Sequence, residues 1–273
     1  MTWFTDRHFF LLAVMIYGAS TLYSVFLWRK GFIRDNRVNY LLLLLAFGLH
    51  TIAMIQRGFS LNTCPVNNLY EATTFFTWAI VLAYLAVGLL PRLRFVGAFA
   101  SPVLLAIGVF ALMPSLDPPH GPKPEFSNWL ASLHASLILL AYGAFGLGSV
   151  SALMFLSQQH NLKFHKLRAV LSLLPPIQRL EIVTVRLLLV GFVLLTLGLA
   201  AGGHLPRPEG VKYWKETKVV WSAFLWAIYL ALLVARWRFA FTGRRFAYGV
   251  VGIFVFLLLT FWGTNLLSTL HHP

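Results

Sequence analysis

Eight apolar runs, each close to the length needed to cross a hydrocarbon core, recur along almost the whole chain and leave no separate soluble domain. They fall at 9–28, 40–55, 70–90, 95–113, 129–156, 183–203, 219–235 and 246–267. A core about 30 Å thick takes roughly 20 helical residues. In lipid each backbone N–H and C=O must be satisfied inside the segment, and a helix achieves this within one span. With 59% hydrophobic and only 11% charged residues, the chain reads as an all-α integral membrane protein, a bundle of about eight transmembrane helices. The first run follows Asp6 and Arg7, exceeds a usual signal-peptide core and lacks a small-residue cleavage pattern, so it is read as a span.

Charge sets the expected orientation, because Lys and Arg collect in short cytoplasmic loops. Arg29, Lys30, Arg34 and Arg37 follow span one, and Arg92 and Arg94 follow span three. Lys163, Lys166, Arg168 and Arg179 follow span five, and Arg236, Arg238, Arg244 and Arg245 follow span seven. These loops are expected inside. Most acids (Glu71, Asp117, Glu125, Glu209 and Glu216) lie in the opposite loops, which puts both termini outside. The formal charge of +14 is therefore mainly topological. Basic groups spread over four loops beside lipid do not make a nucleic-acid patch; the partner they imply is the bilayer.

On this map four histidines share one face of the membrane. His50 lies six residues before Gln56, or ~9 Å deep at ~1.5 Å per helical residue. His134 is five residues into span five, His204 follows span six at its edge, and His271 with His272 follows span eight. His160 and His165 fall in an inner loop, and His8 and His120 in outer segments. A histidine in hydrocarbon loses its hydration and needs a partner; a metal or haem iron suits several at once. Each histidine also has a plainer reading as a hydrogen-bonded packing residue.

The loop between spans six and seven is basic although it faces outward. Arg207, Lys212, Lys215 and Lys218 outnumber Glu209 and Glu216 there, and such cations can hold haem propionates through charge-assisted hydrogen bonds. Tyr213, Trp214 and Trp221 offer flat apolar surface for a macrocycle. The alternative is an interfacial aromatic belt with snorkelling lysines. Trp78, Trp129 and Trp262 are read as belt residues.

Other local features point to packing. Asn68 is expected to cap span three, with Glu71 reaching back from the third helical position. Leu167, Val170, Leu171 and Leu174 beside Lys163, Lys166 and Arg168 suggest an interfacial helix stopped by Pro175-Pro176. Pro102 is expected to kink span four, and Gly143, Gly146 and Gly148 to permit close helix approach. Cys64 has no internal disulfide partner, and no Cys-x-x-Cys-His stretch exists for covalent haem attachment. The chain is neither a c-type cytochrome nor a thiol relay. Phosphate-binding glycine loops, Ser-His-Asp groupings and paired intramembrane carboxylates are missing from it too, so hydrolase and proton-pump readings have no residues to carry them.

Four stretches carry a family resemblance: Arg57 to Trp78, with Asn68-Leu-Tyr-Glu-Ala; Trp129 to Tyr142, with Leu133-His-Ala-Ser-Leu; Leu174 to Gly203; and Phe261-Trp-Gly-Thr-Asn-Leu-Leu-Ser-Thr-Leu-His271. From about Tyr40 to His271 the chain resembles the cytochrome c assembly family, the haem-handling membrane proteins of the CcsA/HemX/CcmC type. Residues 1–39 then form a first span and inner loop, and 40–273 the family-type haem-handling domain. The resemblance implies an outward site for non-covalent haem b, with His134 and His271 as the axial pair beside a tryptophan-rich loop. His50 matches a ligand position inside the membrane. It further implies a bacterial cytoplasmic (inner) membrane, and haem, apocytochrome c and other cytochrome c assembly membrane proteins as partners.

The chain departs from the family's synthase branch at two points. Tyr213-Trp214-Lys-Glu216-Thr-Lys218 and Trp221 to Trp226 stand where that branch has a fuller Trp-Trp-Asp sequence, and Val234 stands where it tends to place a second intramembrane histidine. The smaller HemX-like branch fits the eight spans better. The expectation is a haem-binding or haem-transferring component of c-type cytochrome biogenesis, acting as a non-catalytic accessory or subunit of a haem lyase or cytochrome c synthase system. A cofactor-free regulator or transporter of the HemX-like type is the alternative. A cytochrome b electron carrier fits less well, since such proteins normally need histidine pairs on both sides of the core and the inner half has no intramembrane histidine.

Overall fold

The computed structural model describes residues 5–29, 36–61, 68–117, 129–164, 177–205 and 217–267. Among these residues the chain forms eight long helices and no strand: α1 (Asp6–Arg29), α2 (Arg37–Leu61), α3 (Leu69–Gly88), α4 (Gly97–Ala111), α5 (Trp129–Phe164), α6 (Ile177–Gly203), α7 (Thr217–Arg238) and α8 (Gly243–Leu267). A 3-10 turn, Pro91–Val96, leads into α4. All eight are long and apolar enough to span a membrane. The protein is an all-α, multi-pass membrane bundle.

Several helices run past the apolar run that announces them. Span two was expected to end near residue 55, yet α2 continues to Leu61. It does so because Arg57, the charge that ends the hydropathic run, meets carboxylates from three other segments. Arg57 Nε donates to Glu71 at 2.9 Å and Nη1 to Asp6 at 3.2 Å, while Nη2 donates to Asp117. Arg7 joins Asp117 at 3.2 Å, and the guanidinium carbons of Arg7 and Arg57 lie 5.1 and 5.3 Å from the Tyr70 ring centroid. This clasp draws the start of α1, the end of α2, the start of α3 and the segment after α4 to one end of the bundle. Asn68 completes it. Its Oδ1 accepts from the Glu71 backbone N–H at 2.7 Å, as expected of the cap, and its Nδ2 donates to Asp117 at 2.9 Å. The Glu71 carboxylate, expected to reach back to the cap, takes an arginine from α2 at 2.9 Å.

α5 is the most enclosed span and α7 the least. Glycines on α5 let its neighbours approach. A Cβ on Gly143 would lie 2.5 Å from Ala79 Cβ and 2.7 Å from the Ala79 carbonyl carbon; one on Gly148 would lie 2.8 Å from Leu188 Cδ1. These contacts run in step with α3 and in reverse with α6, where Gly191 meets Phe145, Gly198 meets Ile138 and Gly202 meets His134. α8 is also antiparallel to α5, since Phe254 approaches Gly146 and Phe261 meets Tyr142 at 5.8 Å. α7 reverses α6: Trp226 stacks on Phe192 at 5.5 Å, and Arg236 pairs with Glu181 at 2.7 Å. The starts of α5 and α7 and the ends of α6 and α8 therefore share the clasp end. Gly143→Leu is expected to lower stability by about 1–3 kcal/mol through overpacking against backbone, read as a fall in the detergent unfolding midpoint.

At the opposite end buried polar contacts replace the clasp. Ser20 donates to Asn39 and lies 2.7 Å from Ser101 Oγ, which ties α1, α2 and α4 together. Glu181 also accepts from the Gly243 N–H at 3.1 Å, fixing the turn before α8. Pro102 does lie inside α4. The interfacial helix expected over residues 167–174 lies outside the described residues.

Candidate functional site

His134 sits in the second turn of α5, where α6 ends beside it. Its Nδ1 is 2.7 Å from the Gly198 carbonyl oxygen. A carbonyl can only accept, so Nδ1 carries a proton, and in the neutral imidazole Nε2 then holds the lone pair. Nε2 makes no hydrogen bond among the described residues. The ring is half-buried, laid against α6 at Gly202. A metal-ligating histidine almost always donates its other N–H to a carboxylate, a carbonyl or water, which fixes tautomer and ring plane. His134 therefore offers an imidazole nitrogen with no hydrogen bond among the described residues, on a ring fixed by its other nitrogen and only half-buried, a donor of the kind that metals take.

His50 is built differently. It is fully buried, 4.8 Å from the Phe10 ring, with Nδ1 3.0 Å from the Tyr17 hydroxyl. Among the described residues its buried Nε2 makes no well-formed hydrogen bond, and the Thr74 backbone beside the ring is at best a weak partner. The ring is enclosed by α1 and α3, so a macrocycle could meet it only if those helices moved apart. Tyr17→Phe is expected to leave a second buried ring nitrogen without a partner and to cost about 1–3 kcal/mol, measured as a lower unfolding midpoint.

The remaining candidates divide by position. His204 is exposed and bonds its own helix, Nδ1 to the Ala200 carbonyl at 2.8 Å. Trp221 lies near the same end of the bundle as His134, with its ring 5.5 Å from Phe256 of α8 and 5.7 Å from Phe224. Arg207, Lys212, Tyr213, Trp214, Lys215 and His271 lie outside the described residues. Val234 is exposed on α7. Trp78 corrects the belt reading: its indole N–H donates to Thr51 at 2.9 Å and its ring stacks on Phe47 at 5.2 Å. An indole at mid-span needs an acceptor, and α2 supplies one. Trp129 is 73% exposed, as a belt residue would be. Among the described residues no three His, Cys, Asp or Glu side chains converge as a metal cage.

Sequence reasoning did not single out Gly198, Gly202, Tyr17 or the Arg57 clasp. One signal was available for the glycines: Gly191, Leu195, Gly198 and Gly202 recur at helical spacing and form one buried face of α6.

The fold and the site define a polytopic membrane protein that presents a histidine at one end of its bundle. The chain belongs to the cytochrome c assembly protein family, which it matches over residues 66–272. It is similar to the cytochrome c biogenesis protein CcsA of Prochlorococcus marinus strain MIT 9303, with 29% identity over 264 residues, covering 86% of this chain and 83% of that one. The CcsA of Trieres chinensis is 28% identical over 294 residues, covering 94% and 91%. Protein HemX of Brevibacillus brevis is 28% identical over 272 residues, covering 97% of each chain. The similarity to HemX, covering 97% of this chain, thus extends beyond the family-matched residues 66–272.

Proposed function

We propose that this protein acts in c-type cytochrome biogenesis by binding or passing haem at the outer end of its bundle, with His134 and His271 as the axial pair. The role in biogenesis follows from membership of the family and from the names of the CcsA relatives. The observation that carries the haem reading is the His134 Nδ1 bond to Gly198, which leaves Nε2 as the free donor. Haem bound there would supply a redox-active iron and a porphyrin carrying reactive vinyl groups.

Chain geometry supports the second ligand. Tyr142 and Phe261 meet at one level of the bundle; His134 stands about 12 Å above it at ~1.5 Å per residue. From Phe261, α8 climbs about 9 Å to its end at Leu267, and the four residues to His271 span at most ~14 Å. His271 is within reach of the level of His134. Arg207, Lys212 and Lys215 would bind propionates, and Trp214 and Trp221 would flank the porphyrin edge. The charge pattern supports putting this end on the outer side of a bacterial cytoplasmic membrane. His50, enclosed by α1 and α3, could reach iron only if those helices parted, so the proposal puts the iron at His134.

Haem titration of the purified protein and its variants tests this. His134→Ala and His271→Ala should each lose the six-coordinate, low-spin spectrum, and His50→Ala should keep it. A spectrum lost in His50→Ala and kept in the other two would overturn the assignment.

A further inference from the structure

We propose that Gly202 and the Gly198 carbonyl are the positioning elements of this site: together they fix the tautomer and plane of His134 and so aim Nε2 at the iron. The inference rests on the haem reading above and concerns how the ligand is held. Two independent contacts carry it. First, the 2.7 Å bond to Gly198 puts the proton on Nδ1, leaving Nε2 as the only ring nitrogen able to ligate. Second, the ring occupies the space where a side chain at position 202 would stand. A Cβ on Gly202 would lie 2.6 Å from His134 Cε1, 2.7 Å from Nδ1 and 3.4 Å from Nε2.

All three contacts are on the working edge of the imidazole. Even one methyl group at 202 would push that edge away from α6, stretch the bond to Gly198 and swing Nε2. The neighbouring glycine makes a natural control, because a Cβ on Gly203 meets nothing within 4 Å. Gly203→Ala adds the same methyl to the same helix end on a different face. Gly198→Ala is a poorer probe, since its Cβ would strike Ile138 at 2.9 Å and disturb packing below the ring.

Gly202 acts through His134 and is thus a positioning residue, so its test needs readouts that general destabilisation would not move. In haem-free protein with 15N-labelled histidine in lipid, solid-state NMR should show His134 protonated at Nδ1 and bare at Nε2. On haem titration, Gly202→Ala should bind about 10–100-fold more weakly, as is typical when an outer-shell partner of a metal ligand is lost. Its residual complex should show altered low-spin g-values in electron paramagnetic resonance, while Gly203→Ala keeps the wild-type affinity and spectrum. An Nε2-protonated His134 in the wild-type apoprotein overturns the inference, and that measurement needs no variant to fold. Haem uptake lost in His134→Ala but unchanged in Gly202→Ala overturns this inference alone. A wild type that takes up no haem overturns the haem reading and the inference with it.

Discussion

His134→Ala is expected to abolish tight haem binding, lowering apparent affinity by at least about 100-fold, the upper end of what loss of an outer-shell contact alone costs. On the proposed reading the side chain would supply the iron bond, and its surroundings favour that bond in advance: Nδ1–H is committed to the Gly198 carbonyl, which leaves Nε2 for the metal. Alanine removes both. Optical titration with haem measures the effect as loss of the Soret shift. The fold should survive, because His134 is half-buried at the bundle's edge and its truncation leaves no buried charge. A His134→Ala protein that keeps its helical circular dichroism and still binds haem like the wild type would sink the assignment.

Arg57→Ala is expected to be the most destabilising single change, at about 3–5 kcal/mol, the usual cost of removing one partner from a buried ionic cluster. Three carboxylates converge on this guanidinium, one each from α1, α3 and the segment after α4. The Glu71 side chain is only 1% exposed. Without Arg57 these acids repel one another at close range, with Arg7 pairing to Asp117. Arg57→Lys should recover only part of the loss, since an ammonium has no planar fork to address three acceptors in three directions. Glu71→Gln should cost less in the Arg57→Ala background than in the wild type, because the pair is coupled. Detergent unfolding followed by circular dichroism reads each value; an Arg57→Ala midpoint equal to the wild type would show that the clasp is incidental.

The spans were legible because hydrophobic length is a property of one segment read alone. What the sequence concealed were properties of pairs. α2 runs past its apolar stretch because Arg57 is neutralised by residues 14, 51 and 60 positions away, which no local window reveals. The glycines of α5 were readable as close-approach sites, since small residues in an apolar helix have few other uses, and Gly143 meets the α3 backbone accordingly. Gly202 belongs to the same class of signal, but its partner is an imidazole and not an aliphatic side chain, and residue spacing does not tell the two apart. Trp78 misled for a related reason: tryptophan favours the interface in general, and here a single threonine on α2 gives it an interior acceptor. His50 and His134 looked alike as intramembrane histidines. Their surroundings separate them, one sealed between helices and one presented at a helix end.

The central claim is that this member of the cytochrome c assembly family holds haem through His134 at the clasp end of its bundle. Its most direct test is an optical titration of the purified full-length protein with haem, in detergent or nanodiscs. A saturable Soret shift at one equivalent, low-spin character on reduction and loss of both in His134→Ala are expected. A wild-type protein that remains colourless after haem is supplied, or one whose spectrum is unchanged by His134→Ala, would contradict it.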